Sequence, residues 1–182
     1  MFLNVRGEVF LLTSSDGVTV KREEIHEIQS NQEETDTRVI LYAAYASRMQ
    51  YKNVQIRSPD SDIFFLLLHF ASQLDTTLFF DTGVGNSKRL LNITDIAKDL
   101  GEQKCTSLMT LHVFTGVDTP SAFNGIGKVK PIKLLLKENK FMLCFTSFGI
   151  CWDVDDSNTE NLEQFTCSMY GYPRYTSIGL LR

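Results

Sequence analysis

Polar and hydrophobic positions alternate over Asn53–Arg57, where Val54 and Ile56 supply the β-branched pair of a short strand. Ser58-Pro59 ends it, because proline fixes φ and offers a ladder no donor. From Asp60 the chain is almost wholly apolar as far as Ala71, room for about three helical turns. Residues 8–22 read as a hairpin turned at Asp16-Gly17. Ser30-Asn-Gln-Glu33 is a capping box and predicts a helix from about Asn31 to Ser47, with Val39, Ile40, Ala43 and Ala46 or Ser47 on its apolar face. Further along, Thr76–Asp81 predicts a strand and Arg89–Ile93 a returning one. Asp95–Leu100, capped by Asn92 or Thr94 and stopped by Gly101, predicts a helix. Lys104–Phe114 predicts another, with Leu108, Leu111 and Val113 or Phe114 inward. Helices are also expected after Gly127 and near Asn161–Tyr170. Strands and helices interleave, so the fold class is α/β.

Composition narrows the function classes. With 182 residues, 43% of them hydrophobic, the chain can bury the core of one domain spanning residues 1–182. His69 and Gln73 interrupt the longest apolar run well short of the roughly 18 residues a membrane span needs, so no membrane partner is expected. Arg6 and Glu8 fall inside what would be the apolar core of an export signal. Cys105, Cys144, Cys151 and Cys167 show no C-x-x-C spacing, which favours plain buried thiols in a reducing compartment. Net charge is −4, so nucleic acid would have to be met by a local basic patch.

Candidate chemistry lies in the acids. Asp60 and Asp62 follow a strand directly, the place where open α/β sheets put their sites; the alternative is that one of them caps the helix. Asp36 lies three, four and seven residues before Val39, Ile40 and Ala43, so it shares an inward helix face, where a carboxylate needs a positive partner. Glu34 is near the same helix start, and acid in a first turn is also what the helix dipole favours. Asp118 follows the Lys104–Phe114 helix and Gly116; an Asx-turn before Thr119-Pro120 is the competing reading. In Gly125-Ile126-Gly127-Lys128, two glycines precede a helix with Pro131 in its first turn, a turn able to present amides to a phosphate. Lys130, Lys133 and Lys137 follow at helical spacing, which also describes an ordinary solvated face. The acidic Asp153-Val-Asp-Asp156 loop lacks the glycine and distal Glu of a calcium-binding EF-hand, so a solvated loop is expected.

Three pieces stand in one order: Glu34-Thr-Asp36, then Ser58-Pro-Asp60-Ser-Asp62, then Phe114-Thr-Gly-Val-Asp118 with Gly125-Ile-Gly127-Lys-Val-Lys-Pro-Ile-Lys-Leu-Leu135 behind it. Over about residues 32–137 that order resembles the flap endonuclease/XPG-like branch of the PIN-like nucleases. It is also similar to mobile-element-like proteins of animal genomes that carry E-E-A-D-T-R and F-T-G-C-D-T. Here Glu33-Glu-Thr-Asp-Thr-Arg38 and Phe114-Thr-Gly-Val-Asp-Thr119 each depart by one residue. The resemblance implies a three-layer PIN-like fold with a mostly parallel central sheet and helices on both faces. It also implies a C-terminal helix–hairpin–helix element at about 104–137. It further implies that Glu34, Asp36, Asp60, Asp62 and Asp118 converge on one or two Mg²⁺ or Mn²⁺ ions and cleave phosphodiesters of DNA or RNA in a structure-selective way. Gly125, Ile126, Gly127, Lys128, Lys130 and Lys133 would hold the nucleic acid backbone. Hard divalent ions prefer carboxylate oxygens, and so many gathered carboxylates repel one another without a cation. The family's N-terminal acid-bearing strand and helical arch find no counterpart in residues 1–33. A truncated form of such a domain is therefore expected, with an inert nucleic-acid-binding or protein-interaction module as the alternative to an active nuclease. The expected location is intracellular and, with a nucleic acid partner, nuclear.

Overall fold

The computed structural model describes residues 1–5, 8–29, 35–117, 123–148 and 156–181, leaving the side chains of 3–5, 8–10, 35, 180 and 181 outside that description. The architecture is mixed α/β, and the chain divides into two compact units, each made of two stretches of the sequence. Unit 1 comprises Met1–Pro59 and Gln73–Asn92; unit 2 comprises Asp60–Ser72 and Ile93–Arg182.

Unit 1 opens with an antiparallel sheet of β1 (Phe2–Val5), β2 (Glu8–Thr13) and β3 (Lys21–Glu24). The expected hairpin joins β2 to β3. In its turn Asp16 Oδ1 accepts from the amides of Val18 (2.9 Å) and Thr19 (2.7 Å), and Gly17 takes φ +74°. Those two backbone bonds, Thr19 first, hold the Asp16 carboxyl well below the usual carboxylate range. Helix α1 (Thr35–Arg48) follows. The predicted start of this helix, capping box included, lies outside the described residues. Ala43 and Ala46 are buried as expected, while Val39 and Ile40 are half-buried. Tyr45 joins Leu11, Ile25 and Ile28 in a small core, and Phe2 stacks on Tyr42 at 5.3 Å between centroids.

The second sheet carries β4 (Asn53–Arg57), β5 (Thr77–Thr82) and β6 (Arg89–Asn92) in that order. β4 and β5 pair in parallel, from Asn53 opposite Thr77 to Arg57 opposite Asp81. A parallel pair needs a crossover, supplied by α2 (Ser61–Phe70) in the sequence between them. β6 returns antiparallel to β5, so the sheet is mixed rather than mostly parallel. The reason is local. Gly83–Lys88 is too short for a crossover, and Gly83 takes φ +77° in a position where a Cβ would run into the Ser87 carbonyl. On β5, Leu78 and Phe80 are buried, and so is Asp81. Asp81 Oδ2 meets Gln55 Nε2 at 3.0 Å and Lys88 Nζ at 3.5 Å, while its Oδ1 is buried without a hydrogen-bond partner.

Unit 2 is helical: α2, then α3 (Ile93–Leu100), α4 (Glu102–Phe114), α5 (Val129–Lys137), α6 (Asn139–Ser147) and α7 (Asp156–Met169). Phenylalanines form its core. Phe165 of α7 meets Phe141 and Phe145 of α6 edge-on at 5.1 and 4.9 Å, and Phe114 of α4 closes on Phe145 at 5.3 Å. Of the two inward candidates at the end of α4, Phe114 packs and Val113 is exposed. Cys105, Cys144 and Cys167 are buried thiols, and burial raises the pKa of Cys105 and Cys167. Among the described residues, no helix is long and apolar enough to cross a membrane.

Candidate metal and nucleic-acid site

Asp60 occupies the N-cap position of α2. Its backbone is extended (φ −82°, ψ 128°), and its Oδ1 accepts from the Asp62 amide at 2.9 Å. A helix start leaves four amides unpaired, and a short side-chain acceptor at the cap satisfies one of them. The capping alternative therefore holds for Asp60. Asp62 has another partner: its Oδ1 lies 2.8 Å from His112 Nε2.

His112 comes from the last turn of α4. Its side chain is 2% exposed, against 22% for Asp62, and its ring stacks on Phe65 of α2 at 4.1 Å and 23°. Burial pulls its pKa below the usual histidine value, against the opposing pull of Asp62. A neutral imidazole has one N–H, and the short contact to a carboxylate assigns it to Nε2, which donates to Asp62. Nδ1 is then the bare nitrogen, and it is buried with no hydrogen-bond partner.

Lys128 lies on the other side of the same helix end. Its ammonium donates to the His112 carbonyl at 2.8 Å, to Thr115 Oγ1 at 3.0 Å and to the Gly116 carbonyl. These acceptors belong to the C-terminal end of α4, where carbonyls lack helical partners and the macrodipole favours a cation. Burial lowers the pKa of Lys128, opposed by the nearby Asp62 charge. Expected as a contact for nucleic acid, Lys128 instead closes a helix. The other residues of that expected surface stay together. Gly125, Ile126, Gly127, Lys130 and Lys133 line one open depression of about 480 Å³. Gly125 takes φ +71° with open space where a Cβ would stand. α5 starts without a side-chain cap, and Pro131 falls in its first turn as predicted.

The remaining acids are distributed differently. Asp36 sits half-buried in the first turn of α1, in unit 1. Glu34 and Asp118 lie outside the described residues. Among the described residues no group of three or more His, Cys, Asp and Glu is arranged to hold a metal ion. The donor chemistry of the Asp60–Asp62 pair still fits Mg²⁺ or Mn²⁺ in kind. Both groups are carboxylates, and the second oxygen of Asp62 takes no part in the His112 bond.

His112 was not singled out in the sequence. The signal was present: it falls four residues after Leu108 and seven after Cys105, on the buried face of α4. What periodicity could not supply was its partner, fifty residues away in the chain.

Comparison of the chain with models of known protein families, with characterised proteins and with solved structures finds no match.

Proposed function

We propose that the chain is a metal-dependent, structure-selective nuclease that hydrolyses phosphodiester bonds of DNA or RNA, built on a PIN-like fold. One observation supports this reading above the others. The two halves of the proposed site are joined by a continuous run of contacts within unit 2. Asp60 caps onto Asp62, Asp62 binds the His112 ring, and the His112 carbonyl receives Lys128, which directly follows Gly127. Lys128 also bonds the carbonyl of Gly116, two residues before Asp118. Asp60 and Asp62 are therefore linked through His112 to Lys128, the residue that follows the glycine turn.

The division of labour follows from the chemistry. Asp60 and Asp62 would hold a divalent cation; the resemblance adds Asp118, Glu34 and Asp36 to the candidate ligands. Such an ion, when bound, polarises the phosphoryl group and lowers the pKa of water. The depression at Gly125–Gly127 would receive a backbone phosphate, with the uncapped start of α5 and Lys130 and Lys133 supplying positive potential. Such contacts position a strand without reading its sequence. The parallel β4–α2–β5 crossover and the α4–Gly-Ile-Gly–α5 succession support the PIN-like fold and a helix–hairpin–helix element.

A second reading, an inert nucleic-acid-binding or interaction module, is favoured by the lack of a three-ligand metal group among the described residues. Purified protein incubated with branched and single-stranded DNA and RNA separates the two. Cleavage in Mg²⁺ or Mn²⁺ that EDTA abolishes supports the nuclease. Binding retained with no EDTA-sensitive cleavage refutes it and leaves the module.

A further inference from the structure

We infer that His112 is the positioning residue for Asp62, fixing the carboxylate so that one oxygen is held and the other is presented to a hard divalent cation. The inference rests on the proposed metal site and specifies how its ligand is oriented.

Three observations carry it. The imidazole is fixed from several directions: its ring stacks on Phe65, and its backbone carbonyl is tied to Lys128. Thr115 Oγ1, which donates to the Leu111 carbonyl at 2.8 Å, tightens the same turn. The bond to Asp62 runs from a 2% exposed donor to a 22% exposed acceptor, so the fixed partner is buried and the oriented partner reaches solvent. Finally, His112 is a poor choice as mere filling. Its Nδ1 is buried without a partner, whereas Phe or Leu would fill similar space without an orphaned polar atom. A group kept in spite of that deficit is explained by what its other nitrogen does.

Outer partners of this kind set ligand geometry in metal sites, and losing one typically weakens the metal 10- to 100-fold.

The test uses the full chain and reads free Mn²⁺ by electron paramagnetic resonance, which gives a Kd without any activity. His112→Phe keeps the ring and its stacking but removes the donor. His112→Gln places an amide N–H near the position of Nε2. His112→Asn, whose shorter amide falls short of the Nε2 position, answers the same question should His112→Phe not fold. The expected result is a Kd weakened about 10- to 100-fold in His112→Phe and His112→Asn, with most of the loss restored in His112→Gln. Folded His112→Phe and His112→Asn proteins that bind Mn²⁺ like the parent overturn this inference alone. So does a His112→Gln protein as weak as His112→Phe. A parent that binds no Mn²⁺ overturns the metal site and this inference together.

Discussion

Replacing Lys128 with Met keeps the apolar stem and removes only the ammonium. Three acceptors then lose a donor: the His112 carbonyl (2.8 Å), Thr115 Oγ1 (3.0 Å) and the Gly116 carbonyl. A hydrogen bond to a charged group contributes about 1.5–3 kcal/mol, but the three do not add. Thr115 Oγ1 keeps its bond to Leu111, and the half-buried ammonium no longer has to be desolvated. The expected net loss is about 2–3 kcal/mol. With a urea slope of about 2 kcal/mol/M, the unfolding midpoint falls by about 1–1.5 M with the slope unchanged. Lys130→Met, at an exposed position, is the control and should stay within about 0.5 kcal/mol. Nucleic acid binding should show the reverse pattern. Lys130→Met lowers the salt dependence by close to one phosphate contact, a slope change of about 0.7–0.9, while Lys128→Met leaves that slope alone. Equal urea midpoints for the two variants, or a Lys128→Met protein of parental stability with a reduced salt slope, would refute the helix-closing role.

Phe165→Ala removes a fully buried ring that meets Phe141 and Phe145, and should cost about 3–5 kcal/mol in urea unfolding; a loss below about 1 kcal/mol would show that unit 2 does not depend on this cluster. Because burial lowers the His112 pKa, the unfolded chain binds this proton more readily than the folded one, so stability falls as pH drops below about 6.5. The slope contributed is at most about 1.4 kcal/mol per pH unit, and stability profiles between pH 7 and 5 that run parallel for the parent and His112→Gln would contradict it.

Much of the second sheet and of the helices beside the site was legible in the sequence because their boundaries are written in local chemistry. Ser58-Pro59 ends β4 where expected, Asp60 starts α2, and Gly101 separates α3 from α4. α6 was missed because its boundary carries no such punctuation. Only Glu138, extended at φ −120° and ψ 110° and making no side-chain cap, separates it from α5. The start of α3 came two residues early because β6 runs into the helix without an intervening loop. At the site, the acids and the glycine turn could be read as residue types in order. The roles of His112 and Lys128 could not, since each depends on a partner brought near only by the packing of α2, α4 and the Gly125–Lys128 turn. Lysine spacing placed Lys128 with Lys130 and Lys133, and burial separated it from them.

The most direct test of the metal site is a crystal grown with Mn²⁺ and its anomalous difference map. The proposed site predicts a peak about 2.1 Å from carboxylate oxygens of both Asp60 and Asp62, with the other Asp62 oxygen still on His112 Nε2. Crystals of Asp60→Asn/Asp62→Asn, which retains an N-cap and an acceptor for His112, should lack that peak. A parent map with no peak at these carboxylates, or an equal peak in the double variant, would contradict the site and the nuclease reading with it.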